Sequence, residues 1–217
     1  KVAIQLNDTH PTLAIPEMMR ILLDECGYTW EKAFDICRRT FAYTNHTVMS
    51  EALEKWNVDI FKMTLPRIFT IVQELDRRCR EDLFQVFPGD VGKVDYMAIL
   101  GDNQVRMANI CCYVCHSING VSKLHSQIIK DSVFHDYYLY KPAAFKNVTN
   151  GIAYRRWLLA SNPGLTDLLD DLIGDGFKHD ASQLSKLAAY RDDASVLKRL
   201  DEVKRQNKAA FASYLEK

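Results

Sequence analysis

The sequence has no surplus of either charge: 28 Lys and Arg balance 28 Asp and Glu. A chain that grips a phosphate backbone or an anionic membrane carries a basic excess, so neither nucleic acid nor membrane is an expected partner. No apolar run approaches the ~18 residues that a membrane span needs, and no secretory signal is visible. Neither G-x-G-x-x-G nor G-x-x-x-x-G-K-[S/T] occurs, so nucleotide phosphates have no evident cradle. Internal repeats and low-complexity linkers are missing too. The chain opens on Lys1 rather than Met and closes inside a helical pattern at Glu216-Lys217. Both ends are therefore expected to be cuts in a longer polypeptide.

Cysteine is sparse. Cys26, Cys37 and Cys79 are scattered singly through helical patterns, as in reduced cytosolic proteins, which makes the expected compartment cytoplasmic. Cys112-Tyr-Val-Cys115-His116 matches a haem-attachment signature and a bare redox pair. It lies within Val105–Ile118, an apolar run rich in small residues, and packing of Cys as a small hydrophobe explains it more simply. No metal is expected. The sequons at Asn7, Asn45 and Asn147 carry no weight without a secretory signal.

What is present is core material. The 217 residues, 47% hydrophobic and 11% aromatic, suffice for one large or two small domains. Val2, Ala3, Ile4 and Leu6 read as a buried parallel strand that stops in Asn7-Asp8-Thr9-His10-Pro11. In open α/β sheets, ligands bind where strands end in this way. On the plainer reading, Asp8 or Thr9 caps the next helix, with Pro11 in its first turn. Apolar spacing predicts that helix over residues 12–26, ended by Gly27, and a second from Thr29 to Arg39. Thr40–Thr44 then forms a short strand that runs into Asn45-His46-Thr47. Two strand ends bearing neutral hydrogen-bonders suit the reading of many hydroxyls better than a phosphate or a metal.

Ser50 reads as the cap of a further helix with Glu51 in its first turn, where a carboxylate is favoured by the helix dipole. Residues 65–86 form a long amphipathic helix with Ile68, Ile71, Val72 and Leu75 inside, broken by Phe87-Pro-Gly-Asp90. Residues 94–100 read as a short strand or a buried turn of helix. Gly101-Asp-Asn103 is a loop opening the Val105 helix, and Asn119-Gly120 is a turn within a helical stretch. His125 suits a packed core position. Asp193 opens a last helix, with Val196, Leu200, Val203, Ala210, Phe211 and Leu215 as its stripe.

Asn7-Asp-Thr-His-Pro11, Ala42-Tyr-Thr-Asn-His-Thr47 and Glu51-Ala-Leu-Glu-Lys-Trp56, in this order and spacing, resemble the α-glucan phosphorylase family. The likeness continues through Asn119-Gly-Val121, Leu124-His-Ser126, Val148-Thr-Asn-Gly-Ile152 and Arg155-Arg-Trp-Leu158. Ala153-Tyr154 departs from the Thr and then Pro or His of most relatives but leaves Asn150 in place. The short Gly101–Asn103 loop resembles the bacterial branch.

The resemblance implies a helix-rich α/β fragment of a two-domain glycosyltransferase fold with facing Rossmann-like halves. Residues 1–150 would be the later part of the N-terminal half, and 151–217 the first helices of the C-terminal half. It implies phosphorolysis of α-1,4-glucan by inorganic phosphate, giving glucose 1-phosphate, in a homodimer. Pyridoxal phosphate would be held as a Schiff base by a lysine outside this chain, leaving the chain alone inactive. Carried over by motif, His46 and Asn150 hold the glucosyl 6-hydroxyl. Asp8 and His10, with Glu51 and Ala52, line the pocket beside the sugar's β face, and Val121 packs near the glucose. A glucan-binding module without turnover, and a helical interaction domain whose motifs are only caps, are the alternatives.

Overall fold

The computed structural model describes residues 2–216, which form two compact units that divide between Asn150 and Gly151. The first unit begins with β1 (Ile4–Asn7), α1 (Ala14–Arg20), α2 (Trp30–Thr40) and β2 (Phe41–Thr44). Next come β3 (Lys55–Asn57), α3 (Val58–Thr64), α4 (Pro66–Val86), α5 (Val91–Met97), β4 (Leu100–Gly101) and β5 (Gln104–Arg106). It closes with α6 (Met107–Val114), β6 (Ser117–Gly120), α7 (Lys123–Ile128), α8 (His135–Tyr140) and β7 (Phe145–Asn147).

The main sheet is parallel, in the order β1-β2-β6-β7. Its register aligns Leu6, Tyr43, Ile118 and Phe145 in one row, all buried. The next row, Asn7, Thr44, Asn119 and Lys146, is polar. Successive strand side chains point to opposite faces, so one face of the sheet is core and the other is a field of hydrogen-bonding groups. Parallel sheets are ordinarily apolar on both faces. Hence β1 departs from the buried strand expected: Leu6 is buried, but Val2 lies 67% exposed and Gln5 faces outward.

Other local expectations change for identifiable reasons. Asp8 and Thr9 cap no helix, because α1 starts only at Ala14 and its cap position, Leu13, accepts no side-chain bond. The Ser50 segment is one 3₁₀ turn, Ser50–Ala52, separated from β3 by Leu53 and Glu54 only. Asp102 and Asn103 both take φ of +54°, the left-handed pair of a tight hairpin between β4 and β5. Asn119-Gly120 is the end of β6, a central strand, rather than a turn. The Thr29 cap, the α4 core stripe and the Gly27 stop at φ +64° all appear where the sequence placed them.

Cys111, Cys112 and Cys115 are fully buried, and all six cysteines are free. Burial pushes the Cys112 and Cys115 thiols well up, so they stay protonated, as suits a packing role. Among the described residues, no group of three or more metal-ligating side chains occurs, and no helix is long and apolar enough to cross a membrane.

Gly120 is where β6 meets α7. A methyl there would meet the Ser126 backbone nitrogen at 2.7 Å, and backbone cannot step aside. Gly120→Ala is expected to destabilise the chain by about 1–3 kcal/mol, seen as a lower urea midpoint at unchanged slope.

In the second unit, Asn162 caps α9 (Pro163–Ile173), and Asp193 caps α10 (Ala194–Leu215) through Ser195 N at 2.9 Å and Val196 N at 3.2 Å. Val196, Leu200 and Val203 are half-buried, whereas Phe211 and Leu215 are more than half exposed. The outer side of β1 is likewise unpaired among the described residues. The chain is therefore expected to self-associate. Sedimentation velocity should show mass rising with concentration; a clean monomer throughout, with no binding of a hydrophobic dye, contradicts this.

Candidate functional site

All four parallel strands lead into polar motifs at one edge. β1 ends at Asn7 and leads into Asp8, whose φ of +63° turns the chain sharply. Asp and Asn tolerate that left-handed geometry because their side chains bond locally. Here Asp8 Oδ1 accepts from Thr9 N at 2.7 Å, while Asp8 N donates to Thr44 O at 2.9 Å. β2 ends at Thr44, and Asn45 N donates to Asn119 O at 3.0 Å. β6 leads into Val121, whose carbonyl accepts from Asn150 N at 3.0 Å. The exits carrying Asp8, His46, Val121 and Asn150 are thus stitched together through backbone bonds.

The His46 ring is placed by Asn7: Nε2 lies 2.6 Å from Asn7 Oδ1. A carbonyl oxygen only accepts, so Nε2 carries the proton and Nδ1 is left as an acceptor. Behind the loop, His125 Nδ1 accepts from Val121 N at 3.1 Å, and its Nε2 donates to Thr47 O at 3.1 Å. His125, 5% exposed, is the packed histidine expected, and it clamps the β6 exit to the His46 loop. Asn150, His10 and Glu51 are exposed, and their side chains make no hydrogen bond among the described residues.

Glu51 and Ala52 sit on the 3₁₀ turn, held against the Asp8 loop by a residue that sequence reasoning passed over. Glu54 accepts from Thr9 Oγ1 at 2.6 Å and from Trp56 Nε1 at 2.8 Å. Glu51 also lines a cavity of about 290 Å³ with Glu54, Arg106, Asn109 and Phe134, into which Asp8, His10, His46, Ala52, Val121 and Asn150 do not project. Two further features were missed. Gln5, Thr44 and Asn119 form a bonded row on the polar face, with Thr44 Oγ1 donating to Asn119 Oδ1 at 2.7 Å. Asn45 is wholly buried, with its amide nitrogen unpartnered. The alternation of polar residues at positions 5 and 7 and at 117 and 119, with Thr44 between them in the sheet, was the available signal for that row.

The edge supplies amides, hydroxyls, imidazoles and carboxylates, and no lysine or arginine joins its hydrogen bonds among the described residues. That set can read sugar hydroxyls. It does not fit pyridoxal phosphate, which needs an amine for its imine and donors for a dianion. This strand-end edge therefore does not by itself hold that cofactor.

The sequence profile of carbohydrate phosphorylases matches residues 1–217. Brain-form glycogen phosphorylase of Rattus norvegicus is 47% identical over 220 residues, covering all of this chain and 26% of the relative. The muscle forms of Bos taurus and Homo sapiens are 46% identical over the same extent. The chain thus spans about a quarter of the length of these relatives, and its helix-rich α/β architecture with a parallel sheet suits a fragment of that fold. Profile and relatives agree along the whole sequence, and the chain belongs to the carbohydrate phosphorylase family.

Proposed function

We propose that this chain supplies the glucose-reading edge of an α-glucan phosphorylase. Residues 1–150 would be the later part of its N-terminal domain, and residues 151–217 the start of its C-terminal domain. In the reaction, a phosphate oxygen forms a bond to C1 of the terminal glucose, the bond from C1 to O4 of the next unit breaks, and O4 takes a proton. The pairing of His46 with Asn7 carries this reading most directly, because it leaves an imidazole acceptor beside a strand-end cluster of neutral donors.

In this reading, His46 Nδ1 accepts the 6-hydroxyl proton and the Asn150 amide donates to its oxygen. Asp8 and His10, with Glu51 and Ala52, line the space beside the sugar's β face, and Val121 packs against the glucose. Pyridoxal phosphate would be held by residues outside this chain, where its phosphate would supply proton handling. The substrates are an α-1,4-glucan and inorganic phosphate, and the full-length protein acts in the cytoplasm as a homodimer.

Full-length protein supplied with a linear α-1,4-glucan and phosphate is expected to release glucose 1-phosphate, and the 217-residue chain alone to release none. Glucan binding by the full-length protein without consumption of phosphate would assign it to the sugar-binding modules instead.

A further inference from the structure

A second pocket lies at the amino edge of the parallel sheet, at the opposite end of the strands from His46. Phe34, Arg38, Asp82, Tyr113, Tyr140 and Lys141 line its volume of about 210 Å³. Arg38 belongs to α2 just before β2, and Lys141 follows α8 just before β7, so the two cations converge from different crossovers. Lys141 Nζ donates to the carbonyls of Tyr113 at 2.7 Å and Cys115 at 3.0 Å. An ammonium has three donors, so one remains. The Arg38 guanidinium lies 5.9 Å from the Phe34 ring centre, and no carboxylate pairs with it among the described residues. The pocket's own carboxylate, Asp82, accepts from Tyr113 O–H at 2.8 Å. Phe34 and Tyr113 stack at 5.5 Å, giving an aromatic wall.

Two cations against one carboxylate leave a single positive charge beside flat apolar surface. A phosphate dianion would overbalance that charge and face Asp82 at close range, whereas a monoanion matches it. We propose that this pocket binds a small aromatic monocarboxylate, its carboxylate between Arg38 and Lys141 and its ring against Phe34 and Tyr140.

The proposal carries a pH signature. Burial first, and the neighbouring Arg38 charge with it, lower the Lys141 amine to about 8. The other titratable groups around it are Asp82 from α4, Tyr113 from α6, Tyr140 from α8, and the thiols of Cys79, Cys112 and Cys115. Burial raises Cys79 and Tyr140 to about 12 and pushes Tyr113, Cys112 and Cys115 upward as well. Lys141 is therefore the group that changes charge near pH 8. A carboxylate ligand needs its protonated form, so affinity should be full below pH 8 and fall above it.

The test is a fluorine NMR titration of 4-fluorobenzoate, with neutral 4-fluorobenzamide as control. Saturable binding of the acid at pH 7 is expected, with the amide binding at least about tenfold more weakly. Arg38→Gln, at an exposed position that the fold tolerates, should weaken the acid about tenfold, and so should raising the pH to 9.5. Absence of saturable binding, equal binding of the amide, unchanged affinity in Arg38→Gln, or a flat pH profile would each overturn the proposal.

Discussion

His46→Ala in the full-length protein is expected to remove ~2–4 kcal/mol of transition-state stabilisation, roughly thirty- to a thousandfold in kcat/KM for phosphorolysis. The size follows from how the ring is held. Asn7 fixes its tautomer at 2.6 Å, and His125 braces the same loop through Thr47. The acceptor is thus in position before the glucosyl cation develops and needs no rearrangement during the reaction. If His46 only finishes a turn, the substitution costs a little stability and leaves turnover alone. Steady-state kinetics on a variant with unchanged melting temperature separates the two; an unaltered kcat/KM removes His46 from the reaction.

Asn150→Ala is expected to cost ~1–3 kcal/mol with a glucosyl donor, because on the proposed reading the 6-hydroxyl loses its hydrogen-bond partner. A 6-deoxyglucosyl donor should lose most of that penalty, having no hydroxyl to leave unpaired. Asp8 makes the complementary test, but Asp8→Ala confuses two effects. It removes the acceptor for Thr9 N and places alanine at φ +63°, a turn defect of about 1 kcal/mol by itself. Asp8→Asn keeps the left-handed turn and the acceptor and removes only the charge. Asp8→Asn should therefore weaken β-substituted glucose analogues and ignore the 6-deoxy change, while Asn150→Ala does the reverse. Equal losses for both donors in Asn150→Ala would exclude it from the site.

Strands and helices set by contiguous pattern were legible in the sequence. Phe41–Thr44 is a short apolar run, α4 has a clear stripe, and Thr29 and Asp193 are unambiguous caps. Features that depend on distant partners were not. β6 holds only four residues, Ser-Ile-Asn-Gly, and becomes a strand because β2 and β7 lie on either side. By local chemistry Asn-Gly is a turn, and tertiary pairing overrides it. The Glu54 bridge joins residues 45 positions apart, so no window of sequence displays it. Asp8 was legible as a strand-end residue but not as a left-handed one, since the same side chain also caps helices well.

The strand order β1-β2-β6-β7 follows the order of synthesis. A chain emerging from the ribosome can join β1 to β2 once residue 44 is out, but the outer side of β2 must wait until residue 120 for β6. Most of the intervening chain goes into the antiparallel sheet and α3 to α6, which gather locally while β2 remains an open edge. Sheet assembly is thus vectorial, with one long waiting period at Phe41–Thr44, the same four residues that carry His46 to its place. The strand that leads into His46 is thus the inner strand that spends longest with one edge unpaired during synthesis.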